Sequence, residues 1–504
     1  MELRTLRNLR SFYPKSLTSS TKEGNPSSSI PAQPLFNEKV AFPSLKSFTI
    51  WRLKSIIEIW DNQSESFSQL RTLNVHYCDN LRNVFSLSNV KNLMLLQEVK
   101  ISGCPEMEEI LATGETTTKN GQEGESNNAI ITFPQLKTLS LDELPNLKSF
   151  CSSRFKKEDE EIMKDKDILQ VQPLFNHKVA LPSLESFTIR SLDSIIEIWD
   201  NQSEFFSQLR TLHVYGLRNL KCFYSSRFKK EDEEIVKDKD ILQAQPLVNH
   251  KVGFPVLEEL HLTHCNNVTI DLEGLNVGKQ QVEVQLPLRV LHLAALPKLN
   301  CIWNKDPKGI VSFQSLKTVI IQKCGLLKSL CTSSVARTLE QLQLLVIISC
   351  TLMEELVAKE ESGEVTDEII FPQLKFLILV NLRNLTCFCR ANYAFNMPSL
   401  RRAELVNCPR METFTFEQLR IKEYADENQW VEEKELYGYI RRQGKEPLTL
   451  TDGNNDDISS SDSDSRDNEY DCYITTVWND DYDDDDDDEM MLVNDNIDDI
   501  SDNE

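Results

Sequence analysis

A repeat solenoid built on one long parallel β-sheet is the fold class this sequence predicts, and three observations predict it. Twelve segments share one spacing of apolar positions: leucine-like, two residues, leucine-like, one residue, leucine-like, two residues, then Cys or Leu. The final positions of successive segments lie 25 or 26 residues apart in five of the eleven gaps, and 28, 31 and 32 apart in three more. Whole blocks also recur: Ile56 to Glu65 and Ile195 to Glu204 are both IIEIWDNQSE, and Ser152 to Ile162 and Ser225 to Ile235 are both SSRFKKEDEEI. A one-dimensional array tolerates such duplication because each unit touches only its neighbours, and no unit buries its apolar side alone.

Each element follows from that pattern. Six copies end in Cys: Leu70–Leu73–Val75–Cys78, Leu96–Val99–Ile101–Cys104, Leu257–Leu260–Leu262–Cys265, Leu316–Val319–Ile321–Cys324, Leu342–Leu345–Ile347–Cys350 and Leu400–Ala403–Leu405–Cys408. Six end in Leu: Leu45–Phe48–Ile50–Leu53, Leu136–Leu139–Leu141–Leu144, Leu184–Phe187–Ile189–Leu192, Leu209–Leu212–Val214–Leu217, Leu288–Leu291–Leu293–Leu296 and Leu374–Leu377–Leu379–Leu382. These are leucine-rich repeats, which predict a horseshoe of the α/β solenoid class. Its parallel sheet lines the concave face, and its convex side is irregular or carries short helices. The terminal Cys of a copy points inward as a small apolar filler and weak hydrogen-bond donor. At the start of the chain Leu3, Leu6, Leu9 and Phe12 align with Leu141, Leu144, Leu147 and Phe150. Met1 then falls within a strand of a thirteenth unit with an uncapped edge, the expectation for a truncated or partial product.

The predicted organisation is a partial first repeat and linker over residues 1–41, a solenoid over 42–430, and an acidic, largely disordered tail over 431–504. Insertions are expected near 113–129, 152–178 and 225–251. The first is rich in Gly, Thr and Asn, as a loop is. The other two carry runs such as Lys156 to Asp167 in which both charge signs mix, as on a solvated helix.

Charge divides the chain in two. Residues 452–504 hold 22 acidic residues against Arg466, whereas the remainder holds 57 acids and 54 bases. The tail is a separate physical object whose composition cannot build a core. Ser459 to Ser465 could accept phosphate from an acid-directed kinase, and an acidic solubilising segment is the simpler reading. Basic residues do not cluster as a nucleic-acid groove requires, so no nucleic acid is expected. No apolar run approaches the ~20 residues of a membrane span, and Met1 to Ile30 has no apolar core of a secretion signal. Thirteen Cys, an odd number, with six at the repeat position, fit a reducing compartment. A cytoplasmic location is predicted, with the nucleus also open.

The flanks of the repeats carry a resemblance. Phe-Pro opens copies at Phe42-Pro43, Phe133-Pro134, Phe254-Pro255 and Phe371-Pro372. Ile-Trp stands at Ile59-Trp60, Ile198-Trp199 and Ile302-Trp303. Met-Glu-Glu follows the Cys copies at Met107-Glu108-Glu109 and Met353-Glu354-Glu355. Over residues 1 to about 430 the chain resembles the leucine-rich-repeat region of plant coiled-coil nucleotide-binding disease-resistance proteins. That resemblance implies a role in innate immunity. The repeats would recognise a pathogen effector or guarded host protein and restrain a nucleotide-binding receptor core. The sequence holds no Gly-x-x-x-x-Gly-Lys-Ser/Thr phosphate loop, so an ATP switch is not expected in this chain. A second family with Cys-type repeats, substrate adaptors for ubiquitin ligation, continues differently after the Cys and carries an F-box, which is absent here.

Strand residues alternate faces, so the residues before, between and after the second and third apolar positions line the concave surface. Three per unit give 36 positions, more than the roughly 20–30 residues of an ordinary interface side. A protein partner fits this surface; a small-molecule substrate or cofactor would leave most of it unused. Early units present Ser47, Thr49 and Trp51, then Thr72, Asn74 and His76, then Glu98, Lys100 and Ser102. Later units present Ile320, then Leu344, Val346 and Ile348, then Phe376, Ile378 and Val380. These seven form a predicted exposed apolar patch and the candidate partner contact. The alternative is that a C-terminal segment near Trp430 folds over it. His213, His261 and His292 share one ladder position in consecutive units. Neighbouring imidazoles suit zinc, yet no carboxylate companion is apparent in the sequence, so they are assigned to the contact surface and no metal is expected. No Ser/His/Asp or Cys/His set stands at a plausible spacing, and an enzyme is not expected.

Overall fold

The computed structural model describes residues 1–13, 34–37, 39–60, 67–112, 130–151, 173–199, 206–224, 254–268, 284–285, 287–303, 311–358, 368–390 and 394–411. The predicted insertion at 113–129, most of the two charged insertions, Trp430 and the acidic tail lie outside the described residues. Of two compact units, Met1–Ile421 and Lys422–Glu504, only the first contains described residues.

Among the described residues, thirteen strands form one parallel sheet in which every neighbour is the next unit of the array. They are β1 (Glu2–Arg4), β2 (Ser47–Trp51), β3 (Thr72–His76), β4 (Glu98–Ser102), β5 (Thr138–Asp142), β6 (Ser186–Arg190) and β7 (Thr211–Tyr215). The sheet continues through β8 (Glu259–Thr263), β9 (Val290–Ala294), β10 (Thr318–Gln322), β11 (Leu344–Ile348), β12 (Phe376–Val380) and β13 (Arg402–Val406). Each five-residue strand runs from the residue before the second apolar position to the residue after the third. Register is constant: Phe48 and Ile50 stand beside Leu73 and Val75, and so on to Leu377 and Leu379 beside Ala403 and Leu405. The inward pairs of neighbouring units therefore stack into two continuous apolar rows. The first strand pairs with the second, with Leu3 beside Ile50, and Leu6 beyond it is 44% exposed.

One residue after every strand the backbone turns into the left-handed region, at φ between 50° and 69°, through Thr5, Arg52, Tyr77, Gly103, Glu143, Ser191, Gly216, His264, Ala295, Lys323, Ser349, Asn381 and Asn407. From Thr5 to Asn381, the N–H of this residue donates to the carbonyl of the last residue of the next strand, at 2.8–3.1 Å. The ladder thus gains one more bond at the point where the chain leaves the sheet. The turn then drops Leu53, Cys78, Cys104 and their equivalents as far as Leu382 under the sheet, all fully buried, with Cys408 of the last unit partly buried. At the Cys units the thiol donates back to the last strand carbonyl, as from Cys78 to His76, Cys104 to Ser102 and Cys265 to Thr263, each at 3.4 Å. The expected weak donor role is realised.

A second ladder holds neighbouring turns together. Two residues past the terminal Leu or Cys, a side-chain amide donates to a backbone carbonyl of the preceding unit: Asn146 to Pro105 and Asn219 to Asp193, both at 2.8 Å, and Asn384 to Thr351, also at 2.8 Å. The Phe-Pro-x-Leu motif closes the opposite turn. The N–H of Leu45 reaches the carbonyl of Phe42 at 3.0 Å, with Pro43 at the turn position that its fixed φ suits. Among the described residues, the convex side carries two short helices, Leu87–Val90 and Ser333–Thr338, as the repeat pattern predicts. It also carries short parallel strands, such as Phe85–Ser86, Glu109–Ala112 and Ser149–Cys151, which that pattern does not predict. Trp60, Trp199 and Trp303 are buried there among phenylalanines. Leu174 and Phe175, at the far end of the expected 152–178 insertion, are core residues whose N–H groups bond Glu197 and Ile198.

Gly103 and Gly216 occupy the same left-handed position but differ in surroundings. A Cβ on Gly103 would stand 2.4 Å from the ring of Tyr77, whereas on Gly216 the nearest atom is 3.5 Å away. Gly216→Ala is expected to lose about 1–2 kcal/mol, the cost of a left-handed alanine. Gly103→Ala should lose at least about 1 kcal/mol more, because a ring must also move; urea unfolding of the two variants measures the difference. Burial pushes the Cys265 thiol up to about 12 from 9.0. Its thiolate fraction at pH 8 is then about a thousandfold below that of an ordinary thiol. Alkylation followed by peptide mapping should find Cys265 labelled later than the half-buried Cys301.

Candidate protein-recognition surface

The concave face is the surface that the strand register lays out. Its three rows are the first, third and fifth residues of each strand, and equivalent side chains on neighbouring strands stand ~4.8 Å apart. At that spacing each screens the flank of the next.

The rows change character along the array. From β2 to β7 they are largely hydrophilic and half-buried, from Thr49 and Trp51 to His213 and Tyr215. Two aromatic clusters with an arginine gather at the strand ends. Trp51 lies 5.1 Å from the rings of both His76 and Tyr77, with the Arg52 guanidinium 5.9 Å and 5.8 Å from the rings of Trp51 and Tyr77. Arg190 lies 5.8 Å from the ring of Tyr215, which lies 5.1 Å from His264. Beneath it Asp142 faces Arg190 at 3.6 Å. Burial lifts the Asp142 carboxyl to about 6, against the pull of Arg190. Arg52, Tyr77 and Arg190 were not among the sequence candidates. Their signal was positional: each stands at the last strand residue or the left-handed residue after it.

From β8 to β12 the face closes. The seven apolar candidates are brought together as predicted: Thr318, Leu344 and Phe376 share one row, Ile320, Val346 and Ile378 the next, and Gln322, Ile348 and Val380 the third. The exposed patch expected from the sequence needs correction, however. Leu344 is 0% exposed, Ile320 6% and Val346 7%, and Phe376 and Val380 are buried too, leaving Ile348 and Ile378 partly accessible. The physical reason is visible in TVIIQ, LLVII and FLILV, where the alternation of a one-faced strand is lost. Continuous apolar runs mark parallel strands covered on both faces.

The three histidines form the central row where the two halves meet. His213 stands beside His261 and His261 beside His292, with ring centroids 4.3 Å and 5.4 Å apart. Burial lowers His213 and His292 to about 4 and His261 well below its ordinary value, so all three are neutral at pH 7. Glu259, two residues before His261 on β8, stands in the adjacent row and brings a carboxylate oxygen within 4.8 Å of donor nitrogens of His213 and His261. The sequence reading found no such companion.

The family described as plant disease resistance protein RPS2-like, leucine-rich repeats, matches residues 44–172 and 235–351. Over those two spans the chain is similar to the leucine-rich repeats of plant disease resistance proteins. No curated protein matches the chain. In the array, β6 and β7 fall between the two matched spans, and β12 and β13 beyond them, yet all four continue the ladder in unchanged register. Such a repeat domain is a protein-interaction module with a role in immunity. Among the described residues, no helix is long and apolar enough to cross a membrane.

Val346→Asp separates a covered face from an open one. At a buried position the new carboxylate has no partner, and the expected loss is about 3 kcal/mol or more, read as a marked fall in melting temperature. An unchanged melting temperature would return the patch to the exposed surface.

Proposed function

We propose that this chain is a recognition module of plant innate immunity that engages a protein partner through the concave face. The partner is a pathogen effector, a guarded host protein or a nucleotide-binding receptor core in the cytoplasm. The observation that carries this reading is the half-buried row from β2 to β7, with Trp51, Arg52, Tyr77, Arg190 and Tyr215 at its strand ends. Tryptophan, tyrosine and arginine are the residue types that dominate binding energy at protein interfaces. Five strand gaps make this stretch ~24 Å long, a width suited to a protein surface. Beyond it, Ile348 and Ile378 add a half-open apolar margin. The motifs of the sequence supply no phosphate loop, so the chain contributes binding, and any nucleotide switch belongs to the receptor core it engages.

The test is copurification from plant tissue with the intact chain, Trp51→Ala and Tyr215→Ala. Truncating an interface anchor costs about 2 kcal/mol or more, roughly a thirtyfold loss of affinity. One or both variants are expected to lose the partner while melting as the parent does. Retention of all partners by both variants overturns the assignment of this face. Recovery of a ubiquitin-ligase core subunit instead would favour the substrate-adaptor reading and overturn the resistance one.

A further inference from the structure

The row of histidines offers a second kind of site. One donor atom each from His213, Glu259 and His261 lies within 4.8 Å of the others. Donors bound at about 2.1 Å to a tetrahedral ion stand about 3.4 Å apart, so rotation of half-buried side chains closes the set. Next in the row is His292, 4% exposed, with neither ring nitrogen hydrogen-bonded. Its ring stands edge-on to His261, at 82°. A buried imidazole with two unpartnered nitrogens is unfavourable as it stands. Glu259 likewise makes no ion pair or hydrogen bond among the described residues, whereas its neighbour Glu258 is engaged by Arg210 and by Arg289, the latter at 3.3 Å. Arg289, committed to Glu258, acts on the Glu259 carboxylate only through space, and burial beside the imidazoles raises its pKa.

We propose that His213, Glu259 and His261 bind a divalent transition-metal ion of the zinc class, with His292 as the adjoining fourth donor. Imidazole and carboxylate are borderline donors suited to zinc, and the neutral state of the three rings leaves their lone pairs available. The ion would span β7, β8 and β9. The first of these junctions is closed by one of the longest connections in the array, 48 residues from Leu217 to Cys265. Closing a long connection is entropically unfavourable, and a bridging ion would hold those strands in register.

The test uses the full chain with Co²⁺ and Zn²⁺ as probes, beside His213→Ala and Glu259→Gln. Both substituted residues are half-buried, so each variant is expected to fold and to melt as the parent does without metal. The intact chain should bind one Co²⁺ with visible ligand-field bands and no thiolate charge-transfer band. Zn²⁺ should displace it and raise the melting temperature by a few degrees, and each variant should weaken binding at least tenfold. Binding unchanged in both variants would assign the ion to the acidic tail and overturn the site. A thiolate band, assigning it to cysteine, would overturn it too, as would the absence of saturable binding to the intact chain.

Discussion

The left-handed residue after each strand is the constraint on which the rest of the array depends. A parallel strand that simply ended would leave its last carbonyl facing the core without a donor. Here the next N–H of the preceding unit reaches that carbonyl, and the positive φ then swings the chain beneath the sheet. Backbone groups so placed must find partners because water is excluded. Eleven of the thirteen such positions are not glycine, so the conformation is imposed by the ladder against a cost of about 1–2 kcal/mol each. That local strain persists because the flanking strand and turn over-determine it.

Two consequences follow from one turn. The inward Leu or Cys is delivered to the same depth in every unit, which keeps the apolar rows continuous from Leu53 to Leu382. Cys is interchangeable with Leu there because its thiol offsets lost volume with a bond to the strand-end carbonyl. The side chain two residues further on is delivered to the previous unit's turn, where Asn146, Asn219 and Asn384 donate across the junction. The array is therefore stitched between nearest neighbours at the strand end and at the amide, while the thiol ties each turn back to its own strand. Such a structure accepts duplicated blocks like IIEIWDNQSE without loss of register.

Much of this was legible in the sequence because the relevant information is periodic. Spacing alone located every five-residue strand and the shorter first one, and it told the concave residues from the inward ones. What was not legible depended on contacts between units. Glu259 is an ordinary glutamate in the chain, and only strand register carries it beside His213, 46 positions earlier. The left-handed position left no uniform signal, since Arg, Tyr, Glu, Ser, His, Ala and Lys all occupy it, and only Gly103, Gly216, Asn381 and Asn407 suggest it. The apolar patch was misjudged for a different reason. Its position came from counting, but its exposure came from assuming that one face of every strand is wet. The continuous runs in β10 to β12 already argued against that assumption.

That gradient divides labour along a single sheet. Where the concave rows keep polar side chains half-buried, they can exchange water for a partner at little cost to the fold. Where the rows turn apolar and close, the same positions add to stability instead, and a partner gains nothing from residues that solvent no longer reaches. The histidine row sits between the two, too buried to be a wet contact and too polar to be core. Neutral, closely packed imidazoles beside an unpaired carboxylate satisfy neither role, and a bound cation is the occupant that makes their placement favourable.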